Sequence, residues 1–478
     1  METKGYLDSF SIIHALAYSF IGYQTAYIAT KWNPIYWNAA CLAVNSSSLE
    51  GDEEEEELNK KEKSADYAKI ARAIGNIKKA GIAVSLVNIN ESDYGFKPDV
   101  ARNRILYSLK ALSNINEDII SKIKAGRPYL GIKDFMQRCP LTTKPMISLI
   151  KAGAFDEIDN DFDHDRKKIM AYYLMNNCDA KKKITLQNFK MLAEKNLIPK
   201  ELEDEKRLFF LNAYLKKKKD KTYYKLDDEV LKCFNNHFVE CNEYVEIING
   251  EPFISQVNWD KYYKINMEPA RVWTKEKQDE VLTLLNTALF QDAWTKYAEG
   301  NLSAWEMEAL CFYHGKHELA DVDKNKYGIV NFDDLSPETE VASYFQRKGN
   351  KIPIYKLYRI IGTVIAKNDA RSSVMLLTTT GVVNVKFTRE YFAMFKKQIS
   401  AIGEDGKKHV IEKSWFKRGT KIMVTGYRRE DQFVGKTYAN TETHQLYKRT
   451  KVMDDGGLML QHERMTSANC FDDDDYEE

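Results

Sequence analysis

The sequence predicts a multidomain α+β protein, mostly helical up to about residue 300 and ending in a small β-barrel. Three observations carry that expectation. A chain of 478 residues exceeds what one hydrophobic core holds together, so roughly two to four domains are expected. Apolar residues recur at helical spacing through much of the first part. Past residue 352 the period changes: YKLYRIIGTVIAK, SSVMLLTTT, GVVNVKFT, KIMVTGYRRE and QFVGKTY are β-rich runs parted by turns, with one helical segment, REYFAMFKKQIS, between the third and the fourth. Five strands with a helix after the third is the order of an OB-fold.

The first element, SFSIIHALAYSFIGYQTAYIAT (Ser9 to Thr30), carries no charge. Its length would cross a bilayer. Its content of His14, Gln24, Thr25, Thr30, serines and tyrosines argues instead for a helix, or two, largely buried in protein, so no membrane partner is expected. The preceding METKGYLD holds acids, and no small-residue cleavage site follows, which is unlike an export signal. Asn45 to Lys63 is Ser-rich, then acidic, then lysine-rich, a solvated linker. SADYAKIARAIGNIKKAGIAVSL is predicted helical, capped by Ser64, with Tyr67, Ile70, Ala71, Ile74 and Ile77 on one stripe and a stop at Gly81 before a short strand.

Residues 104 to 155 read as four short helices, RILYSLKAL, NEDIISKIKAG, IKDFMQRC and TTKPMISLIKAGAF. In the last, Thr143 is the expected cap, Pro145 lies in the first turn, and Gly153 suits a left-handed end. Short helices like these meet nucleic acid through their N-termini and connector amides, and a plain packing domain fits the same pattern. The run DNDFDHD (Asp159 to Asp165) has two readings. Alternate carboxylates could hold catalytic metals. An acidic N-terminus to the helix DRKKIMAYYLMNN, favoured by the helix dipole, is the reading preferred. A calcium loop fails, because His164 stands where glycine belongs and Met170 where the closing glutamate belongs. From about 180 to 300 the chain reads as helical and lysine-rich, YLKKKKDKTYYK being a solvated face or a source of phosphate attraction.

Charge names no partner, since 71 Lys and Arg balance 70 Asp and Glu, with acid concentrated at Gly51 to Glu57 and Asp472 to Glu478. The seven cysteines form no CxxC pair and read as reduced thiols. Cys233, His237 and Cys241 share a helical face but fall short of the four ligands of a structural zinc, so no metal site is expected. Along the barrel strands Arg359, Arg371, Lys386, Phe387, Tyr427, Arg428 and Tyr438 mix cations with aromatics, as a face for single-stranded DNA would. OB-folds also serve as plain interaction modules. Gly403 to Trp415 reads as an enlarged loop before strand four.

In order, these segments resemble the C-terminal portion of C-family replicative DNA polymerases, the bacterial and phage-type DNA polymerase III alpha subunit. Phe10, His14, Ala17 and Tyr18, then Tyr23-Gln24-Thr25-Ala26-Tyr27 and Pro34, are similar to a segment of that family's fingers. Ser11, Ile12 and Ile13 depart from it, replacing a usual Asn-Lys-Ser and removing a lysine that could meet phosphate. INESDYGF, YLGIKDF and LIKAGAFD are similar to its tandem helix-hairpin-helix domain, with Asn114 and Asn116 where the hairpin glycines belong. Asparagine tolerates positive φ, so the turn is expected to survive. WEMEALCFYHGKHEL is similar to the segment before the family's OB domain, and His317 matches a structural histidine there.

The resemblance implies a set of domains: the C-terminal part of the polymerase fingers at 1–93 with an acidic linker at 46–63, a tandem helix-hairpin-helix at 94–157, a helical clamp-binding connector at 158–345, the OB-fold at 352–450 and an acidic disordered tail at 451–478. It implies DNA- or nucleotide-facing residues His14, Tyr18, Tyr23 and Gln24 in the fingers, and duplex contacts at Ser113, Asn114, Asn116 and Lys144. The family's catalytic aspartates lie in a palm that precedes the fingers. No catalytic residue is therefore expected in this chain, and Mg2+ is expected in a partner palm. The expected partners are DNA, an N-terminal polymerase chain carrying the palm, and a sliding clamp, for which QDEVL (Gln278 to Leu282) and QHERM (Gln461 to Met465) are loose motif matches. The implied activity is DNA-directed DNA synthesis within an assembly, in the cytoplasm of a bacterial or phage-infected cell. The other reading is a non-catalytic DNA-binding replication accessory built from polymerase modules.

Overall fold

The computed structural model describes residues 12–46, 67–177, 180–220, 222–238, 243–347, 349–402, 408–438, 443–453 and 456–464. The chain divides into two compact units, one of residues 1–169 with 300–478 and the other of residues 170–299. The first unit opens with α1 (Ile12–Lys31), then α2 (Pro34–Asn45), started by Asn33 accepting from the Ile35 N–H, and α3 (Tyr67–Lys79). Ile35, Ala39 and Leu42 of α2 and Ile70, Ala71, Ile74 and Ile77 of α3 are buried, so both apolar stripes find a core. Among the described residues α1 finds no such cover. Leu16, Tyr18, Phe20, Ile21, Tyr23, Tyr27 and Ile28 are all exposed, which corrects the expectation of a buried helix within this chain. No described helix is long and apolar enough to cross a membrane.

A three-stranded sheet follows, β1 (Ala83–Ser85), β2 (Lys97–Asp99) and β3 (Arg104–Leu106), with β3 central, parallel to β1 and antiparallel to β2. RILYSLKAL is thus a strand and a turn rather than a helix. Ile105, Leu106, Tyr107, Leu109 and Ala111 are all buried, and an apolar run this short carries no periodicity that separates the two. The other three short helices form as expected: α4 (Glu117–Ala125), α5 (Ile132–Arg138) and α6 (Thr143–Lys151). Thr142, not Thr143, takes the cap position of α6, and its side chain makes no capping bond. Gly153 closes α6 at φ 76°, where a Cβ would lie 2.8 Å from the Arg166 guanidinium.

The second unit begins within α7 (Arg166–Asn177) and contains α8 (Phe189–Glu194), α9 (Glu203–Leu215), α10 (Asp228–His237), α11 (Gln256–Asn266), α12 (Glu268–Glu276) and α13 (Gln278–Tyr297). It is not wholly helical. A four-stranded antiparallel sheet, β4 (Lys219–Asp220), β5 (Tyr223–Lys225), β6 (Val245–Ile248) and β7 (Glu251–Ser255) in the order β4-β5-β7-β6, closes one side. Its core centres on Trp259, fully buried, whose indole N–H donates to Asn212 Oδ1 at 3.1 Å. The unit ends at Glu299, so the connector expected to run to 345 does not coincide with it. In that helical part QDEVL opens α13 with Val281 buried, so it is not a free peptide motif.

Residues 300–340, with α14 (Leu302–Leu310) and α15 (Lys324–Tyr327), return to the first unit and bind its helical part to the barrel. The Tyr107 hydroxyl donates to the Leu310 carbonyl at 2.7 Å and Lys78 Nζ to the Tyr313 carbonyl at 2.9 Å. Arg418 stacks over the Tyr67 ring at 4.5 Å and donates to Cys311 Sγ at 3.1 Å. Ahead of the barrel stands a separate two-stranded hairpin, β8 (Val341–Arg347) with β9 (Asn350–Tyr355).

The barrel itself is β10 (Tyr358–Asn368), β11 (Ser373–Leu377), β12 (Val382–Lys386), then α16 (Arg389–Lys396), a hairpin β13 (Ile399–Ile402) and β14 (Lys408–Glu412), and finally β15 (Lys421–Arg429) and β16 (Gln432–Gly435). The order β10-β11-β12-β16-β15 closes through β15 back to β10, with β12 and β16 parallel and the other pairs antiparallel. This is the five-stranded OB arrangement, its helix in the expected place. Ile360, Val364, Val374, Leu376, Val383, Val385, Ile422, Val424 and Phe433 fill the interior. The reverse side of β10 and β15 is covered too, Ile361 and Met423 packing under Leu319, Val322 and Ile329. Gly426 allows the tight β15–β16 turn-in, since a Cβ there would meet the Val434 carbonyl at 2.0 Å. β17 (Leu446–Val452) and β18 (Leu458–Gln461) extend the sheet from β15, so residues 451–452 and 458–461 are strand rather than the expected tail. The acidic runs at 51–57 and 472–478 lie outside the described residues.

Candidate nucleic-acid interfaces

The helical hairpin carries the first candidate surface. Asn114 adopts φ 64°, the left-handed conformation a glycine would supply, and its Nδ2 donates to Ser148 Oγ at 3.1 Å. Asn116 caps α4, its Oδ1 accepting from the Ile119 N–H at 3.0 Å. Asn114, Asn116 and Lys144 are exposed and Ser113 is half-buried, so the four expected duplex contacts are reachable. The first turn of α4 adds Glu117 and Asp118, which suit the helix dipole and oppose phosphate. Glu117 is engaged by the Tyr94 hydroxyl at 2.6 Å and Lys110 at 3.2 Å, and the Tyr94 bond, then Lys110, holds its carboxyl below the usual range.

The barrel carries the second. Inward Val383 and Val385 alternate with outward Asn384 and Lys386, which pair with Gln432 and Val434 of β16. Ala370, Arg371, Ser372, Ser373, Asn384, Lys386, Arg389 and Gln432, with the edge of Phe387 at its floor, surround a cleft of about 560 Å3 that no carboxylate lines. Arg371, Lys386 and Arg389 are exposed at its rim. Two sequence candidates, Arg371 and Lys386, are therefore brought together here. Asn384, Arg389 and Gln432 escaped the sequence reading, although strand alternation beside Val383 and Val385 places Asn384 outward.

Three other candidates serve the fold instead. Phe387 is 3% exposed, packed on Tyr391 and Phe416 in the barrel core, and offers no ring to a base. Arg359 donates to the Tyr327 carbonyl at 3.0 Å under the covering segment. Arg428 donates to the carbonyls of Phe332, Leu335 and Glu430, stitching the 332–335 turn onto the barrel. Tyr427 and Tyr438 are half-buried beside the hairpin base: the Tyr427 ring lies 4.5 Å from that of Tyr355, and the Tyr438 hydroxyl accepts from the Tyr355 N–H at 2.7 Å. Burial raises the Tyr427 hydroxyl above its ordinary pKa, so it stays neutral.

On α1, Tyr18, Tyr23 and Gln24 are exposed, and Tyr23 stacks on Tyr27 at 6.4 Å one turn on. The His14 side chain lies outside the described ones. Among the described residues no group of three or more His, Cys, Asp or Glu could hold a metal. In DNDFDHD the carboxylates are engaged by the fold: Asp159 Oδ2 accepts from the Ile132 N–H, Asp161 pairs with Lys133, Asp163 with Lys168, and Asp165 caps α7 through the Lys167 N–H. Cys241, the third member of the Cys-His-Cys face, lies outside the described residues.

Residues 81–168 match the helix-hairpin-helix motif family. The probable DNA polymerase YorL of Bacillus subtilis strain 168 and the DNA-directed DNA polymerase of Bacillus phage SPbeta are each 39% identical over 463 residues, which is 94% of this chain and 35% of theirs. DNA polymerase III subunit alpha of Thermus aquaticus is 32% identical over 169 residues, 34% of this chain and 12% of that protein. The chain spans about a third of the length of these two polymerases. With a helix-hairpin-helix region and a five-stranded barrel in the order that the sequence resemblance implies, the chain is homologous to the C-terminal region of polymerases of the DNA polymerase III alpha type.

Proposed function

We propose that this chain is the DNA-holding C-terminal part of a split DNA polymerase III alpha-type replicase, whose palm, with its aspartates and Mg2+, is carried by a separate polypeptide. The observation that carries the reading is α1, a helix of 20 residues whose apolar and aromatic side chains face solvent. Exposed apolar area of that extent marks an interaction surface. Completing the fingers against a palm-bearing chain gives it a partner. The hairpin at Ser113 to Asn116 would hold duplex behind the active site, the barrel cleft would guide template single strand, and a sliding clamp would be a further partner. On this reading the metal chemistry belongs to the palm-bearing chain.

Primer extension with Mg2+ and nucleotides tests the reading, first with this chain alone and then with the proteins that co-purify with it. Synthesis only in the assembly, lost when this chain is depleted or when Phe20→Asp and Ile21→Asp are introduced on α1, is the expected outcome. Extension by the chain alone would refute the division of labour. DNA binding without synthesis in either preparation would favour the non-catalytic accessory.

A further inference from the structure

We infer that the β8–β9 hairpin is a second contact for single-stranded DNA, prolonging the path of the barrel cleft through Tyr344, Phe345 and Lys351. The inference rests on the reading of the barrel as a single-strand-binding domain.

The hairpin sequence, VASYFQRKGNKIPIY (Val341 to Tyr355), holds Arg347, Lys348 and Lys351 and no acid. Tyr344 is 62% exposed and Phe345 43%. Pairing sets Tyr344 against Pro353 and Phe345 against Ile352, so each face of the ribbon offers one aromatic ring. A two-stranded ribbon is marginal by itself in water, and this one is held at its base. There the Lys356 N–H donates to the Glu340 carbonyl at 3.0 Å, and Tyr355 packs on Tyr427 and receives Tyr438.

That base lies on the same outward side of the barrel as the basic cleft. Lys386 pairs with Val434, and Val434 with Tyr427. Directly opposed residues in neighbouring strands share a face. Tyr427 then meets Tyr355, so the row from Lys386 to the hairpin spans about 15 Å, some three strand spacings. Cleft and ribbon therefore form one surface of cations and aromatics without an intervening carboxylate in that row.

Protection of an exposed edge is the competing explanation, and it accounts for Pro353 and Lys351. It does not account for Tyr344 and Phe345, which add exposed apolar rings to an edge that protection would keep polar. The absence of acid within the ribbon and its excess of cations select a polyanion as occupant, and exposed rings select one with unpaired bases, which stack on aromatic faces irrespective of sequence.

Fluorescence anisotropy with the full chain tests this, using labelled oligo(dT) of two lengths, dT6 to occupy the barrel and dT20 to reach past it. Tyr344→Ala with Phe345→Ala is expected to weaken dT20 binding about ten-fold or more and to leave dT6 binding within about two-fold. Lys351→Ala should lower the dT20 salt slope by about 0.7. Bromodeoxyuridine in dT20 should crosslink to the peptide holding Tyr344 and Phe345. An unchanged melting temperature shows that the variants fold. If Arg371→Ala with Lys386→Ala weakens both lengths while the hairpin variants bind dT20 as wild type does, the hairpin inference falls and the barrel reading stands. If the wild-type chain binds neither length, both fall. Loss of a co-purifying protein with DNA binding intact would overturn the inference in favour of a protein partner.

Discussion

Arg166 and Glu306, 140 positions apart in the chain, face each other as an ion pair at 3.4 Å with side chains 5% and 6% exposed. Arg166 also grips both oxygens of Asp156 and donates to the Lys151 carbonyl. Glu306 in turn accepts from the N–H groups of His314 and Gly315. This network ties the end of the helical hairpin region to the segment that enters the barrel, holding the two in one compact unit.

Replacing Arg166 with Met should therefore strand the buried Glu306 and the half-buried Asp156 carboxylates and cost on the order of 3–5 kcal/mol in urea denaturation. Glu306→Gln keeps an acceptor for the His314 and Gly315 amides and should cost less. A loss under about 1 kcal/mol for Arg166→Met would mean that the network is not a structural tie.

Asn114 tests the hairpin turn. Asn114→Gly suits φ 64° and should retain both stability and duplex binding. Asn114→Val forces a β-branched residue into the left-handed region and should cost about 1–2 kcal/mol or more. Its affinity for duplex DNA, read by gel shift, should fall with it. Equal duplex binding by the two variants would remove the turn from the interface.

His317 gives the first unit a pH dependence. Its Nδ1 accepts from the Leu319 N–H at 3.0 Å, and burial pushes its pKa down to about 4. The folded state thus resists protonation that the unfolded state accepts near 6.5, so stability is full above that value and falls as the pH drops toward 4. The contribution should be on the order of 3 kcal/mol, read as the difference in pH slope between wild type and His317→Gln. Parallel slopes would show that the imidazole is not what titrates.

Phe387 and Lys386 are sequence neighbours with opposite expected phenotypes. Phe387→Ala should lose about 3–5 kcal/mol of stability through a cavity in the barrel core. Lys386→Ala should leave the melting temperature unchanged and reduce the salt slope of single-strand binding by about 0.7, one phosphate contact. Arg359→Ala, which frees the Tyr327 carbonyl, should alter stability and leave that slope alone.

By itself the sequence determined what is local. The five barrel runs and the helix between them follow from period and turn residues, and Asn114 and Gly153 take left-handed conformations because asparagine tolerates them and glycine has no Cβ to oppose them. Tertiary structure decided what depends on distant partners. Phe387, Arg359 and Arg428 look like a binding face in one dimension, but barrel closure and the 319–335 covering segment turn them into core and fasteners. RILYSLKAL became a strand because β1 and β2 flank it, and the 223–255 sheet formed where helical runs were expected. For α1 the uncharged run stated a demand for burial without naming the supplier, because period and propensity act within a few residues whereas burial is set by whichever surface closes over the helix.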